Sequence, residues 1–393
     1  MMGITIVLAV PVTAAWHGAN GPSTVLLGVL LLWAFAWFDL NLSIAQAGLQ
    51  PARYGILMAV RSGLSLVLGY CLVVFLDLDG YGVVLALLAS TLVGAILGWR
   101  FNWRGVRPVW DPASNRRFAA YGLPLTGTFA LGYFLDSGDR FMIAAFLNEA
   151  AVGPYAAAYD LPRQTLGTLM MVVHLAAYPM AVRAYEAGGA TSAIDKIRET
   201  STLQFAISVP TLVGLVLVSK DLIGVLFGEA FVAPGIQVMP IAALGVFVGC
   251  LCPYLLDMAY QLSGRTKYLI VSPIVGTVLN VGLNWIWIPM FGIVGAAWAT
   301  LVSSLAAVVV SAFVGRRFLA ISVDMRALAV IGLSALLMAA AVMMLPEGDG
   351  ISTLVPRVLV GVAVYVTAAM LLNVAGARTA LMVWRQTRAG SAR

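Results

Sequence analysis

Asp136-Ser137-Gly138-Asp139-Arg140 and Asp160-Leu161-Pro162-Arg163 stand inside two long apolar runs that extend from Phe118 to Val182 and meet at a turn, Asn148-Glu149. Each run is long enough to cross a bilayer, so its ionisable residues come to lie at membrane depth. On insertion scales, one such side chain near the bilayer centre costs about 2.5–3.5 kcal/mol. Left unpaired, the five together oppose insertion by on the order of 10 kcal/mol. They must therefore face one another or a wet cavity, which the rest of the chain has to enclose.

The remainder of the 393 residues fits that demand. The chain is 61% hydrophobic and only 10% charged, with a mean hydropathy of +0.96, whereas soluble domains carry roughly 25% charged residues. Twelve apolar segments follow one another, at approximately 4–16, 23–46, 54–76, 80–98, 118–147, 150–182, 201–219, 234–262, 268–289, 291–317, 325–345 and 353–375. Runs of that length exceed barrel strands, so the expected fold is an all-α multi-pass membrane protein of about twelve transmembrane helices. No positive region precedes Ile4, so the first residues do not read as a signal peptide. Cys71, Cys250 and Cys252 lie within apolar segments, and Cys250-Leu251-Cys252 sets its sulfurs on different sides of a helix, so they read as small core residues.

The charges sort by side. Arg53, the cluster Arg100 to Arg117, Arg183 to Arg198, Arg265 with Lys267, Arg316 to Arg326 and the basic tail occupy alternate connections. The opposite connections hold Asp77, Asp79, Glu149, Asp221, Glu229, Glu347 and Asp349, with Lys220 their clear cation and Arg357 just inside the following span. By the positive-inside rule the basic set and both termini are cytoplasmic. The net charge of +6 is thus topological, and no nucleic acid is needed to explain it.

A repeat is also legible. Arg53-Tyr54 heads the third span and Lys267-Tyr268 the ninth. Each is followed by an outer turn at Gly80 or Gly292 and a small-residue helix ending in Trp99-Arg100-Phe101 or Arg316-Arg317-Phe318. Spans 1–4 thus resemble spans 7–10 in the same orientation, a parallel duplication. The expected organisation is an incomplete N-terminal bundle over residues 1–110, a six-helix bundle over 111–320, and two added helices with a cytoplasmic tail over 321–393. The charged pair of spans 5 and 6 has no counterpart ahead of span 1, so the chain is expected to lack two initial helices.

Phe118-Ala119-Ala120-Tyr121-Gly122-Leu123-Pro124, Asp139-Arg140-Phe141-Met142-Ile143 and Ala151-Val152-Gly153-Pro154-Tyr155 resemble the central signature of the Wzx-like polysaccharide-biosynthesis flippases. These belong to the multidrug/oligosaccharidyl-lipid/polysaccharide exporter superfamily. Gly264-Arg265-Thr266-Lys267, Asn280 to Asn284 and Phe291 to Thr300 are similar to a later segment of the same family. The resemblance covers roughly residues 20–320. It implies two six-helix bundles about a central cavity, related by a two-fold axis along the membrane normal. It further implies alternating-access transport of a polyprenyl-diphosphate-linked glycan across the bacterial cytoplasmic (inner) membrane, for O-antigen, lipopolysaccharide or related surface polysaccharide. A polysaccharide polymerase is the partner machinery it suggests.

Arg140 is the leading candidate for a substrate phosphate, since a guanidinium offers a planar fork of donors to phosphate oxygens. The competing reading is an ion pair with Asp136, one helical turn earlier. Arg163 is a second candidate, against a local pair with Asp160 at i and i+3 beside Pro162. Arg61 either lines a cavity mouth or snorkels to the interface. Asn280 and Asn284 share a helix face, for helix–helix hydrogen bonds or a sugar contact. The acids Asp136, Asp139, Asp160, Asp39 and Asp257 are candidates for H+ or Na+ coupling or for structural pairing. His174 reads as a hydrogen-bonded packing residue rather than a proton relay.

There is no phosphate-cradling loop, metal-ligand spacing or nucleophile motif, and no cofactor is expected. The alternative to a flippase is an ion-coupled exporter of small molecules, which calls for an anionic cavity. A membrane polymerase or glycosyltransferase would need a sizeable external catalytic segment, and no external connection exceeds about 15 residues.

Overall fold

The computed structural model describes residues 21–48, 50–104, 111–113, 116, 137–348 and 350–374. The expected first span, Asp136, most of the segment 118–147 and the basic tail lie outside them. Among the described residues the chain is helical without strands, and eight helices are long and apolar enough to cross a membrane. The chain divides into two compact units, Met1–Ala120 and Tyr121–Arg393.

In the first unit, α1 (Gly21–Ala47), α2 (Pro51–Tyr70) and α3 (Asp79–Asn102) pack together. Pro51 opens α2, where its missing N–H is no loss. α2 runs into a π-helical turn, Cys71–Phe75, and Asp77 (φ 51°) and Asp79 (φ 43°) then reverse the chain in the left-handed region. Gly94 and Gly98 let α3 approach α1, since a Cβ on either would lie 2.7 Å from Phe38 or Asn41 respectively. Asn41 is fully buried and ties the two together. Its side-chain oxygen accepts from Asn102 Nδ2 (3.2 Å) and Trp103 Nε1 (3.1 Å), and its amide donates to the Trp37 carbonyl (2.8 Å).

In the second unit, α4 (137–146) reaches the expected turn, where the Asn148 side chain accepts from the Ala151 amide at 2.9 Å and caps α5 (Glu149–Pro162). A π-helical turn, Arg163–Gly167, leads into α6 (Thr168–Leu217). Then come α7 (Ser219–Leu226), α8 (Glu229–Leu251) with a second π turn at Cys252–Leu256, α9 (Val271–Gly315), α10 (Met325–Met343) and α11 (Ile351–Leu371). The helices α6 and α9 are each folded back on themselves at a glycine, Gly189 (φ 70°, ψ −158°) and Gly292 (φ 62°, ψ −145°), conformations that a Cβ opposes. The doubling of α9 is plain from Asn280 and Thr300, 20 residues apart yet hydrogen-bonded at 3.1 Å. A straight helix would hold them about 30 Å apart. The stretch 183–200, which the charge pattern marks as a connection, is instead helical on both sides of Gly189. Ile197 there is buried against Ala177 and Ala181, so the two arms keep packing beyond their apolar spans.

Each repeated motif meets a phenylalanine at the end of the helix that follows, through non-equivalent residues. Arg53, at the head of α2, sits 6.0 Å from the ring of Phe101 at the end of α3. Tyr268, ahead of α9, sits 4.9 Å from Phe318 just past its end.

The last helix, α11, is fastened by contacts that local sequence does not announce. Arg357 on α11 and Asp221 on α7 form an ion pair at 2.5 Å, with side chains 2% and 0% exposed. Asp221 also accepts from Thr353 Oγ1 (3.1 Å) and the Gly348 amide (3.3 Å). Two turns deeper, the Tyr365 hydroxyl donates to the Ala206 carbonyl at 2.6 Å. That carbonyl lacks its helical donor because Pro210 stands four residues on. The signals were an arginine inside an apolar span and a proline inside α6, each of which demanded a partner.

Candidate functional site

The charged hairpin cross-links itself through neighbouring residues of α4. Arg140 donates through one terminal nitrogen to Asp160 Oδ1 at 2.6 Å, with side-chain exposures of 26% and 44%. Its Nε is buried without a hydrogen-bond partner. Asp139, buried, accepts from the hydroxyl of the fully buried Tyr155 and from the Arg140 amide at 2.9 Å. Asp160 thus pairs across the hairpin with Arg140, where its spacing suggests Arg163. α5 ends at Pro162, and Arg163 opens the π turn that follows in an exposed position. The expected partner Asp136 lies outside the described residues.

On the other side of α4, Asp139 opens onto a cavity of about 370 Å³ inside the second unit. Asp257, which follows the π turn Cys252–Leu256, lines the same cavity, as do Asn280 and the hydroxyls of Thr277, Thr300 and Ser303. Among the described residues no lysine or arginine lines it. Asp257 is 9% exposed, and its Oδ1 is buried without a partner. Asn284, fully buried, donates to Asn280 Oδ1 at 2.9 Å. Asn280 in turn donates to Thr300 Oγ1, which bonds the Ala296 carbonyl at 3.1 Å. These asparagines therefore hold the two arms of α9 together, and Asn280 alone of the two reaches the cavity.

The remaining candidates fall in the first unit. The Arg61 guanidinium rests on Phe35 and Phe38, 4.5 and 5.0 Å from their ring centroids, a cation–π seat that compensates a charge at membrane depth. Asp39 is exposed on α1, while Asn41, two residues on, is consumed by the α1–α3 contact.

Multi-pass helices with doubled-back hairpins and a polar cavity inside one bundle make a membrane-protein fold that is shared with solved transporter structures. The chain superposes on the lipid II flippase MurJ in an inward-closed conformation with a TM-score of 0.72, at 13% identity, over 95% of this chain and 81% of that one. A transporter of the multidrug/oligosaccharidyl-lipid/polysaccharide superfamily from Pyrococcus furiosus matches with a TM-score of 0.54 at 14% identity, over 80% and 74% of the two chains. An outward-facing multidrug-resistance transporter of the same superfamily also gives 0.54, at 16% identity over 80% and 74%. The chain has the fold of this exporter superfamily. Within it, residues 53–233 match the family described as polysaccharide biosynthesis protein. The chain is also 25% identical, over 251 residues, to a probable low-salt glycan biosynthesis flippase of Haloferax volcanii. That alignment covers 61% of this chain and 51% of the relative, so the chain spans about half the length of that curated relative.

Proposed function

We propose that this chain is a flippase for a polyprenyl-diphosphate-linked glycan, acting by alternating access in a bacterial cytoplasmic membrane with both termini on the cytoplasmic side. The work is transport for surface-polysaccharide assembly, with no covalent step of its own. The observation that carries this reading is the match of residues 53–233 to polysaccharide biosynthesis proteins, because that stretch contains the membrane-embedded Arg140–Asp160 pair. A diphosphate offers Arg140 the same charge-assisted bonds as Asp160 and more oxygens, so the headgroup competes for the cation as it passes. Within the second unit Arg163 is the further cation for the headgroup and Asn280 the neutral polar contact, and Arg61 is a separate candidate in the first unit.

The anionic cavity supports a second element, and also the alternative of an ion-coupled exporter of small molecules. Two carboxylates and a cluster of hydroxyls, with no basic side chain among the described lining residues, suit H+ or Na+. In the flippase reading Asp139 and Asp257 are the coupling acids, while Asp39 is exposed on α1 of the first unit.

Proteoliposomes loaded with a fluorescent polyprenyl-diphosphate oligosaccharide separate the readings. The expected result is glycan translocation that is lost in Arg140→Ala. Full translocation by Arg140→Ala refutes the headgroup role. Absence of glycan translocation, with gradient-driven movement of a small organic cation, favours the exporter.

A further inference from the structure

Where α6 passes the second π turn, three rings gather. His174 lies 5.7 Å from Tyr178, nearly parallel to it at 28°, and 5.5 Å from Tyr254. His174 Nδ1 stands 3.1 Å from the Tyr254 carbonyl. A carbonyl only accepts, so Nδ1 carries the hydrogen and, in the neutral ring, Nε2 is left as an acceptor. All three side chains are partly exposed. A histidine within a membrane helix faces a bundle interior or a wet cavity rather than lipid. The π turn Arg163–Gly167 packs here against the end of α8, two residues before the turn Cys252–Leu256, since a Cβ on Gly167 would lie 4.0 Å from Cys250 Sγ. Such turns recur at functional sites. Arg163 is close enough to the Tyr254 hydroxyl to act on it electrostatically.

We infer that His174, Tyr178 and Tyr254 form a platform for a pyranose ring, with Arg163 at its edge toward the diphosphate. This rests on the flippase reading and names the subsite for the sugar. The ring faces take the apolar C–H face of the sugar, and His174 Nε2 accepts from a sugar hydroxyl. Aromatic faces beside one fixed acceptor discriminate a sugar-bearing headgroup from a bare one, which a cation alone does not.

The test is binding to full-length protein in nanodiscs, comparing polyprenyl-diphosphate N-acetylglucosamine with polyprenyl diphosphate alone. The wild type is expected to prefer the sugar-bearing lipid by about three- to tenfold, the range of one good aromatic contact. Tyr178→Leu and Tyr254→Leu should erase the preference while leaving affinity for bare polyprenyl diphosphate unchanged. Tyr178→Phe should keep it, and the unchanged affinity for the bare lipid also certifies folding. His174→Phe should retain stacking and lose part of the preference. If both leucine variants keep the wild-type preference, the platform is refuted and the flippase reading stands. If the wild type binds neither lipid, the flippase reading itself falls and takes the platform with it.

Discussion

Asp221→Ala is the perturbation whose size the structure sets most directly. It leaves the Arg357 guanidinium, 2% exposed, with Glu347 at 3.9 Å as its remaining ion-pair partner among the described residues, a carboxylate 66% exposed to surroundings that screen it. The Gly348 amide loses its acceptor in the same step, while the Thr353 hydroxyl keeps the Gly350 carbonyl at 2.8 Å. Removing one partner of a buried pair costs about 3–5 kcal/mol, most of it the penalty of the stranded charge. Replacing both partners with apolar residues of similar volume, Asp221→Leu with Arg357→Met, should restore most of that loss, because desolvation is then no longer opposed. The assay is reversible unfolding in mixed micelles, followed by tryptophan fluorescence, for the four members of the double-mutant cycle. With each single variant at about 3–5 kcal/mol and the double variant near wild type, the coupling expected lies above the about 0.5–3 kcal/mol usual for contacting residues. Single variants within about 0.5 kcal/mol of wild type, the range of ordinary surface changes, would refute the claim that this pair fastens α11 to α7.

The same assay should show Tyr365→Phe losing about 1–2 kcal/mol, since Pro210 leaves the Ala206 carbonyl no other donor; no loss would mean that another group satisfies it. Gly189→Ala and Gly292→Ala should each cost about 1–3 kcal/mol, because both glycines hold positive φ where the helices double back; a neutral alanine at Gly292 would disprove strain at that reversal. Asp257→Asn is expected to remove the response of glycan translocation to an imposed Na+ or proton gradient while downhill movement continues, as read in proteoliposomes. An unaltered gradient response would take Asp257 out of the coupling role.

Much of this architecture was legible because membrane helices obey short-range rules. Asn148 was readable as a turn because a capping side chain acts within three residues. The kinship of Arg53-Tyr54 with Lys267-Tyr268 was readable because it is written in residue order, and in the fold both motifs meet the phenylalanine that closes the next helix. The stretch 183–200 misled, since its charges mark it as connection while Ala193 and Ile197 keep a buried stripe of helical period.

The candidate site was half legible. That Arg140 needs a partner at membrane depth follows from desolvation alone, but spacing nominated Asp136 and could not see Asp160. The same holds for Asn280 and Asn284, recognisable as polar glue yet silent about Thr300, and for Arg357 and Asp221, which lie 136 residues apart.

By itself, the sequence determined the solvent this chain folds in, the helical nature of its crossings and the places where it turns, because hydrophobicity, backbone hydrogen bonding and capping are satisfied within a few residues. Only the tertiary structure decided which charge answers which, where the acids enclose a cavity, and which aromatic rings share a face. Those depend on how each helix is rotated about its axis, and rotation is set by packing among segments far apart in the chain and by a one-residue slip at each π turn.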